Sequence, residues 1–167
     1  MGARIQFNWL DYVLIGFVAT VAAVQFLRST RSVSRILYEA LLAVGAAAAS
    51  VRLMRPLARL AGMSPAATLG SIGFLLLFIG FVIAALLDVY ASFSMGFLNY
   101  LLGLFLALIC AYALGHIALR TTDLAISPHN PKFAAAVRSS LVCQDLLCFG
   151  TLTELIAFLR FVRWKGV

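Results

Sequence analysis

The chain alternates long apolar runs with short polar connections. Four runs carry the pattern: Leu10 to Leu27, Ile36 to Val51, Ala66 to Leu87 and Phe97 to Leu119. At about 1.5 Å per helical residue each crosses, or nearly crosses, a hydrocarbon core of roughly 30 Å. The fourth organises the others. Gly103, Ala107, Ala111 and Gly115 place a small residue at every fourth position of a segment otherwise built from Leu, Phe, Ile and Tyr. On a helix that ladder is a shallow groove in which another helix can approach backbone to backbone. The pattern predicts an all-α, polytopic membrane protein with four transmembrane helices, followed by a C-terminal amphipathic helix lying in the interface.

Local signals mark the ends of these elements. Asn8 precedes the first run with Asp11 three residues later, the spacing of an N-cap and a carboxylate that reaches back to free backbone N–H groups. Trp9 and Tyr12 fall at headgroup level. Gly62, Ser64 and Pro65 mark a turn before the third run, whose Gly70, Gly73 and Gly80 are candidate contacts for the ladder. Past Arg120 the chain reads as a turn-rich linker, and Asn130 followed by Pro131 predicts a short helix interrupted at Gly150. Two regions result: a transmembrane domain over 1–120 and a cytoplasmic linker with a surface tail over 121–167. In the tail Arg160, Arg163, Trp164 and Lys165 mix with Phe158 and Phe161 beside an apolar face, which suits an anionic leaflet.

The second run is marginal. Arg28, Arg31, Arg35 and Glu39 form a polar stripe leading into it. Its Leu, Ile and Val residues, at roughly −0.4 kcal/mol each, sum to about −3 kcal/mol, and one central charge costs roughly +2.5 to +3.5. The segment should therefore span only if Arg35 pairs with Glu39 or neighbours cover the stripe; otherwise it is re-entrant or interfacial. The third run is secure, with no charge between Leu69 and Leu87.

Composition agrees with lipid as the solvent: 63% of the 167 residues are hydrophobic and 11% charged. A chain this short has too little interior to hide such runs from water. The net charge of +7 then reads as attraction to anionic lipid rather than to nucleic acid, because no basic patch is interleaved with exposed aromatics on a soluble surface. The first run lacks a small-residue cleavage site, so it is expected to remain as a helix. With four spans, Arg4, the cluster Arg52, Arg55 and Arg59, and Arg120, Lys132 and Arg138 share one side, which favours cytoplasmic termini. Were the second run to dip in without crossing, the first helix would reverse and the carboxyl terminus would still be cytoplasmic.

Candidate chemistry is sparse. Cys110, Cys143 and Cys148 have no zinc or redox spacing and read as reduced structural thiols. His116 is alone in its helix and His129 lies in a loop, so neither a haem clamp nor another cofactor or metal is expected. Among intramembrane polar groups, Glu39 is the first candidate for a functional site, with pairing to Arg35 as its structural alternative. Asp88 and Asn99 flank the connection between the third and fourth helices and could bond each other.

The run Asn8, Trp9, Leu10, Asp11, Tyr12, Val13, Leu14, Ile15, followed by Arg28, a phenylalanine-bearing third helix around Phe78 and Gly103 opening the ladder, resembles the colicin V production protein family over roughly residues 5 to 118. The chain departs from that pattern at Ser29-Thr30, at Asn99-Tyr100 and at Cys110-Ala111. The resemblance implies a small multi-pass bacterial inner-membrane protein tied to peptide-toxin export and envelope upkeep. Two functions follow as expectations. The first is a non-enzymatic accessory or scaffold that binds anionic lipid and other membrane proteins. The second is a small homo-oligomeric channel or transporter, with Arg28, Arg31, Arg35 and Glu39 along its polar path.

Overall fold

The computed structural model describes residues 7–29, 33–93, 96, 98–151 and 153–154. Arg31 and the tail residues Arg160, Arg163, Trp164 and Lys165 lie outside them. Six helices and no strand occur among the described residues: α1 (Trp9–Ser29), α2 (Val33–Ala61), α3 (Pro65–Tyr90), α4 (Leu98–Ile126), α5 (Pro131–Ser139) and α6 (Leu141–Cys148). The first four are long and apolar enough to cross a membrane.

Their boundaries follow from local chemistry. Asn8 Oδ1 accepts from Leu10 N and Asp11 Oδ2 from Asn8 N, which is the reciprocal cap expected at the start of α1. Gly62 ends α2 at φ +64, a left-handed position that a side chain would strain. Ser64 Oγ accepts from Ala67 N and Pro65 takes the first turn of α3. Asn130 caps α5 in the same way, on Lys132 N and Phe133 N. Two boundaries differ from expectation. α4 runs six residues beyond Arg120, to Ile126, because Thr121 and Thr122 are tolerated in a helix whose Thr122 hydroxyl bonds back to Ala118 O. The short helix after Asn130 breaks at Ser140, which ends α5 and caps α6.

α4 is the hub, packing against α1, α2 and α3 and against the short helices α5 and α6, while α2 also packs along α3. Ala40, Ala43 and Ala47 of α2 meet Cys110, Ala113 and Ile117 of α4, all but Ile117 at 2% exposure or less. Small side chains bring the two backbones close, so van der Waals contact replaces the hydrophobic drive that lipid does not supply. The alanine-rich composition that weakens α2 for insertion is therefore what seats it in the bundle.

All four ladder residues are buried, but their partners differ from those expected. A Cβ on Gly115 would meet Val18 of α1 at 3.4 Å and Leu146 of α6 at 3.5 Å. The α3 glycines do not face the ladder. Gly70 lies against Thr121 and Gly73 against Ile117, on another face of α4, and Gly80 lies against Leu42 of α2. A helix of 3.6 residues per turn puts Ile117 and Gly115 on nearly opposite sides, so one ladder cannot serve α1 and α3 together.

These contacts set the expected response to adding one methyl group. A Cβ at position 73 would sit 2.7 Å from Ile117 Cγ2, on a β-branched side chain with little freedom to move, whereas Gly45 has nothing within 4 Å. Gly73→Ala should destabilise the bundle by about 1–3 kcal/mol. Gly45→Ala should stabilise it by about 0.5–1 kcal/mol through helix propensity. Unfolding by denaturing detergent, followed by circular dichroism, measures both.

Candidate functional site

Polar side chains gather at three places in the bundle. At one end α1 and α2 bring their charges together: Arg28 Nη2 and Arg35 Nε each lie 3.0 Å from Glu39 Oε1. The carboxylate is 2% exposed and the two guanidiniums are nearly half exposed. Arg28 Nη1 also donates to Gln25 Oε1 at 3.2 Å, and Gln25 Nε2 approaches Cys110 Sγ at 3.6 Å. A chain of contacts thus joins α1, α2 and α4. The stripe read from the sequence is not one helical face. Its described members are divided between two helices, with Arg28 on α1 and Arg35 and Glu39 on α2. One of the two alternative conditions for α2 to span is met, since Arg35 pairs with Glu39, and Arg28 of α1 adds a second ion pair. At the same end Ser34 Oγ donates to Asp88, so the described partner of Asp88 comes from α2.

Asp11 occupies the opposite end of α1 and is 0% exposed. Beyond capping α1, its Oδ1 accepts from Ser140 Oγ at 2.6 Å and from Val142 N at 2.8 Å. One carboxylate therefore holds the amino ends of two helices, where both macrodipoles favour a negative charge. Asn8 Nδ2 adds bonds to Ala136 O at 2.8 Å and Ser139 Oγ at 3.2 Å. Together they fasten the α5–α6 corner to the start of α1.

The third place lies deeper. α6 passes from Ser140, beside Asp11, to Leu146, beside Gly115, and Phe149, stacked on His116. Eight residues at about 1.5 Å each take it about 12 Å along the bundle. Its last carbonyls are met by one stripe of α4: Tyr112 Oη donates to Asp145 O at 2.7 Å, His116 Nδ1 to Leu146 O at 2.6 Å, and Arg120 Nη1 reaches Leu147 O at 3.5 Å. Positions i, i+4 and i+8 of α4 supply the donors that the carboxyl end of a helix lacks. The chain then turns at Phe149, φ +53, a left-handed conformation that costs a residue with a Cβ about 1 kcal/mol. Asp145 Oδ1 accepts from Thr151 N and Oδ2 from Thr151 Oγ1, at 2.8 Å each, and Oδ2 also from Tyr112 Oη at 2.9 Å. Gly150 is needed beside it, since a Cβ there would lie 2.6 Å from Asp145 Oδ1.

Of the sequence candidates, Arg28, Arg35 and Glu39 converge, Asp88 lies at the same end, and His116 belongs to the α6 clamp. Gln25, Tyr112, Arg120, Asp145 and Phe149 were not singled out. The spacing of Tyr112, His116 and Arg120 is a visible signal, an unbroken polar line on an apolar helix, but its partners are backbone carbonyls that leave no mark in a sequence. Among the described residues no group of three or more His, Cys, Asp or Glu side chains could hold a metal. The cysteines are free thiols, Cys110 and Cys143 buried and Cys148 exposed. No family model matches the chain, and neither a curated protein nor a solved structure matches it.

The Glu39 cluster yields a direct test. Glu39→Ala leaves two guanidiniums without their carboxylate and should destabilise the bundle by about 3 kcal/mol, the low end for a broken buried pair because half-exposed arginines can turn towards headgroups. Glu39→Gln keeps one acceptor oxygen and should cost less. Detergent unfolding of the two variants should rank them in that order.

Proposed function

We propose that the chain is a non-enzymatic, multi-pass inner-membrane protein that serves as an accessory or scaffold component in export or envelope maintenance. The observation that carries this reading is the use of the buried polar groups. Glu39 is held by Arg28 and Arg35, Asp11 by Asn8, Ser140 and Val142, and Asp145 by Tyr112 and Thr151. Each fastens one helix to another, a structural use that a scaffold requires of its buried polar groups.

The outer surface is that of a protein that works among lipids and other membrane helices. Phe74, Leu75, Phe78 and Val82 of α3 are exposed, as are Tyr12, Val13 and Val24 of α1. Arg52, Arg55, Arg59, Arg120, Lys132 and Arg138 lie towards the end where α1 begins and α4 finishes, and by the positive-inside rule this supports a cytoplasmic side for that end. Anionic lipid is the partner that this charge distribution suits.

The exposed halves of Arg28 and Arg35 favour a second reading, an oligomeric channel in which these side chains face a wet path between copies. The close alanine contact of α2 with α4 directs such a path to the interface between chains rather than the centre of one. Proteoliposomes distinguish the readings: the scaffold predicts vesicles as tight to monovalent ions as protein-free ones, with Glu39→Ala indistinguishable from the parent. Ion flux whose selectivity changes on Glu39→Ala would replace the scaffold with the channel.

A further inference from the structure

α6 is a short helix that runs from the interface into the bundle and breaks there at Phe149, after which helical bonding resumes with Thr153 N on Phe149 O. Its amino end is tied to Asp11 in the first turn of α1, at the interface. Its inner end is tied to Tyr112 and His116, next to Gly115, which faces Val18 near the middle of α1. A break in a helix at such depth is tolerated only where protein satisfies it, and here the α4 stripe, Phe149 N and Asp145 do so.

His116 stands out in this clamp. A carbonyl oxygen only accepts, so the bond to Leu146 O puts the ring proton on Nδ1 and leaves Nε2 of the neutral ring as a bare lone pair. The residue is 1% exposed, and Nε2 has no hydrogen-bond partner among the described residues. Phe149 covers the ring at a centroid distance of 3.9 Å. The elements around α4 bring Asp145 and Cys143 on α6, Asp11 on α1, Glu39 on α2 and Asp88 and Tyr90 on α3, and α4 itself carries Cys110, Tyr112 and Arg120. The Asp11, Glu39 and Asp145 carboxylates hold other donors, Asp123, two turns along α4, accepts from Ser127 Oγ, Cys148 and Glu154 are exposed, Asp88 and Tyr90 lie at the far end of α3, and Arg120 is positive. None of these carboxylates bonds to the ring.

We propose that His116 Nε2 is a buried intramembrane proton-binding site and that the inner end of α6, with Phe149 as its cover, is the element that moves when the proton binds. The proton comes from hydronium in the bathing solution and returns to it, with no other bond made or broken. An imidazolium buried against Phe149 has a donor with no acceptor and a charge with no partner, both expensive in low dielectric. Lifting the inner end of α6 admits water to Nε2 and relieves both costs, whereas α1 to α4 are held by their own contacts. Histidine is the side chain whose ordinary range makes such a switch operate between about pH 5 and 8. The inference is independent of whether the chain acts as scaffold or channel.

The native, exposed Cys148 at the inner end of α6 provides the test. A nitroxide is placed there in full-length protein carrying Cys110→Ala and Cys143→Ala, in phosphatidylcholine–phosphatidylglycerol vesicles, and its collision rates with oxygen and with a neutral nickel chelate are compared. At pH 8 the oxygen-to-nickel ratio should be several-fold higher than for a label at Ser139→Cys. At pH 5 it should fall towards the Ser139 value, and His116→Asn, which keeps a donor for Leu146 O but cannot take the proton, should abolish that fall. Equal ratios at the two sites at pH 8 would overturn the burial of the inner end of α6 in the bilayer, and a ratio unmoved by pH, or moved equally in His116→Asn, would overturn the switch. Should His116→Asn fail to fold, imidazole nitrogen-15 spectra of the His129→Gln protein decide: protonation of Nε2 between pH 8 and 5 supports the site, and a ring that stays neutral overturns it.

Discussion

In lipid, a polar group that the protein does not satisfy stays unsatisfied, and this constraint shapes every part of the molecule. Water would hydrate a stray carboxylate or the free carbonyls at a helix end; hydrocarbon cannot. The chain answers by making its buried carboxylates and the α4 polar line joints between helices. Glu39 binds α2 to α1 through Arg28 and to its own previous turn through Arg35. Asp11 binds the starts of α1 and α6. Tyr112, His116 and Arg120 complete the end of α6. In each case the cost of burial is offset only when the two elements are together, so the polar groups specify which helices meet and in what register.

Packing then does what polarity does not. Between apolar helices in an apolar solvent, association rests on contact area and close approach. Alanines at 40, 43 and 47 against Cys110 and Ala113, and glycines at 73, 80 and 115 against larger neighbours, make that approach possible. The two systems are complementary along α2. Its first turns are fixed by charge and its middle by alanine contact, and together they hold a segment whose insertion energy alone is near zero.

How much of this was legible follows from the range of each interaction. Helix starts at Asn8, Ser64 and Asn130 are written within three or four residues, and the sequence showed them. The four apolar runs were equally plain, because a run of such length has one physical explanation. The pairing of Arg35 with Glu39 was visible at i, i+4, but the arrival of Arg28 from the preceding helix was not, since the packing of α1 on α2 had to be known first. The partners of the α3 glycines were misjudged for the same reason. A small residue announces a close approach without saying to what. Least legible was the α6 clamp, where the α4 side chains bind backbone carbonyls more than 25 residues away.

That clamp also separates α6 from the rest of the molecule in kind. α1 to α4 satisfy their backbones internally over most of their length, and side-chain contacts only position them. α6 is eight residues long, so half of its carbonyls belong to its final turn and depend on donors from α4 or from the residues that follow. Its stability is therefore borrowed from neighbours. An element of that sort opens at lower free energy than the helices it leans on, and it does so as a unit, because Phe149, Asp145 and Leu146 share the same few partners. Placing the one buried imidazole with an unused lone pair beneath such an element couples the least independent part of the fold to the group whose charge is easiest to change.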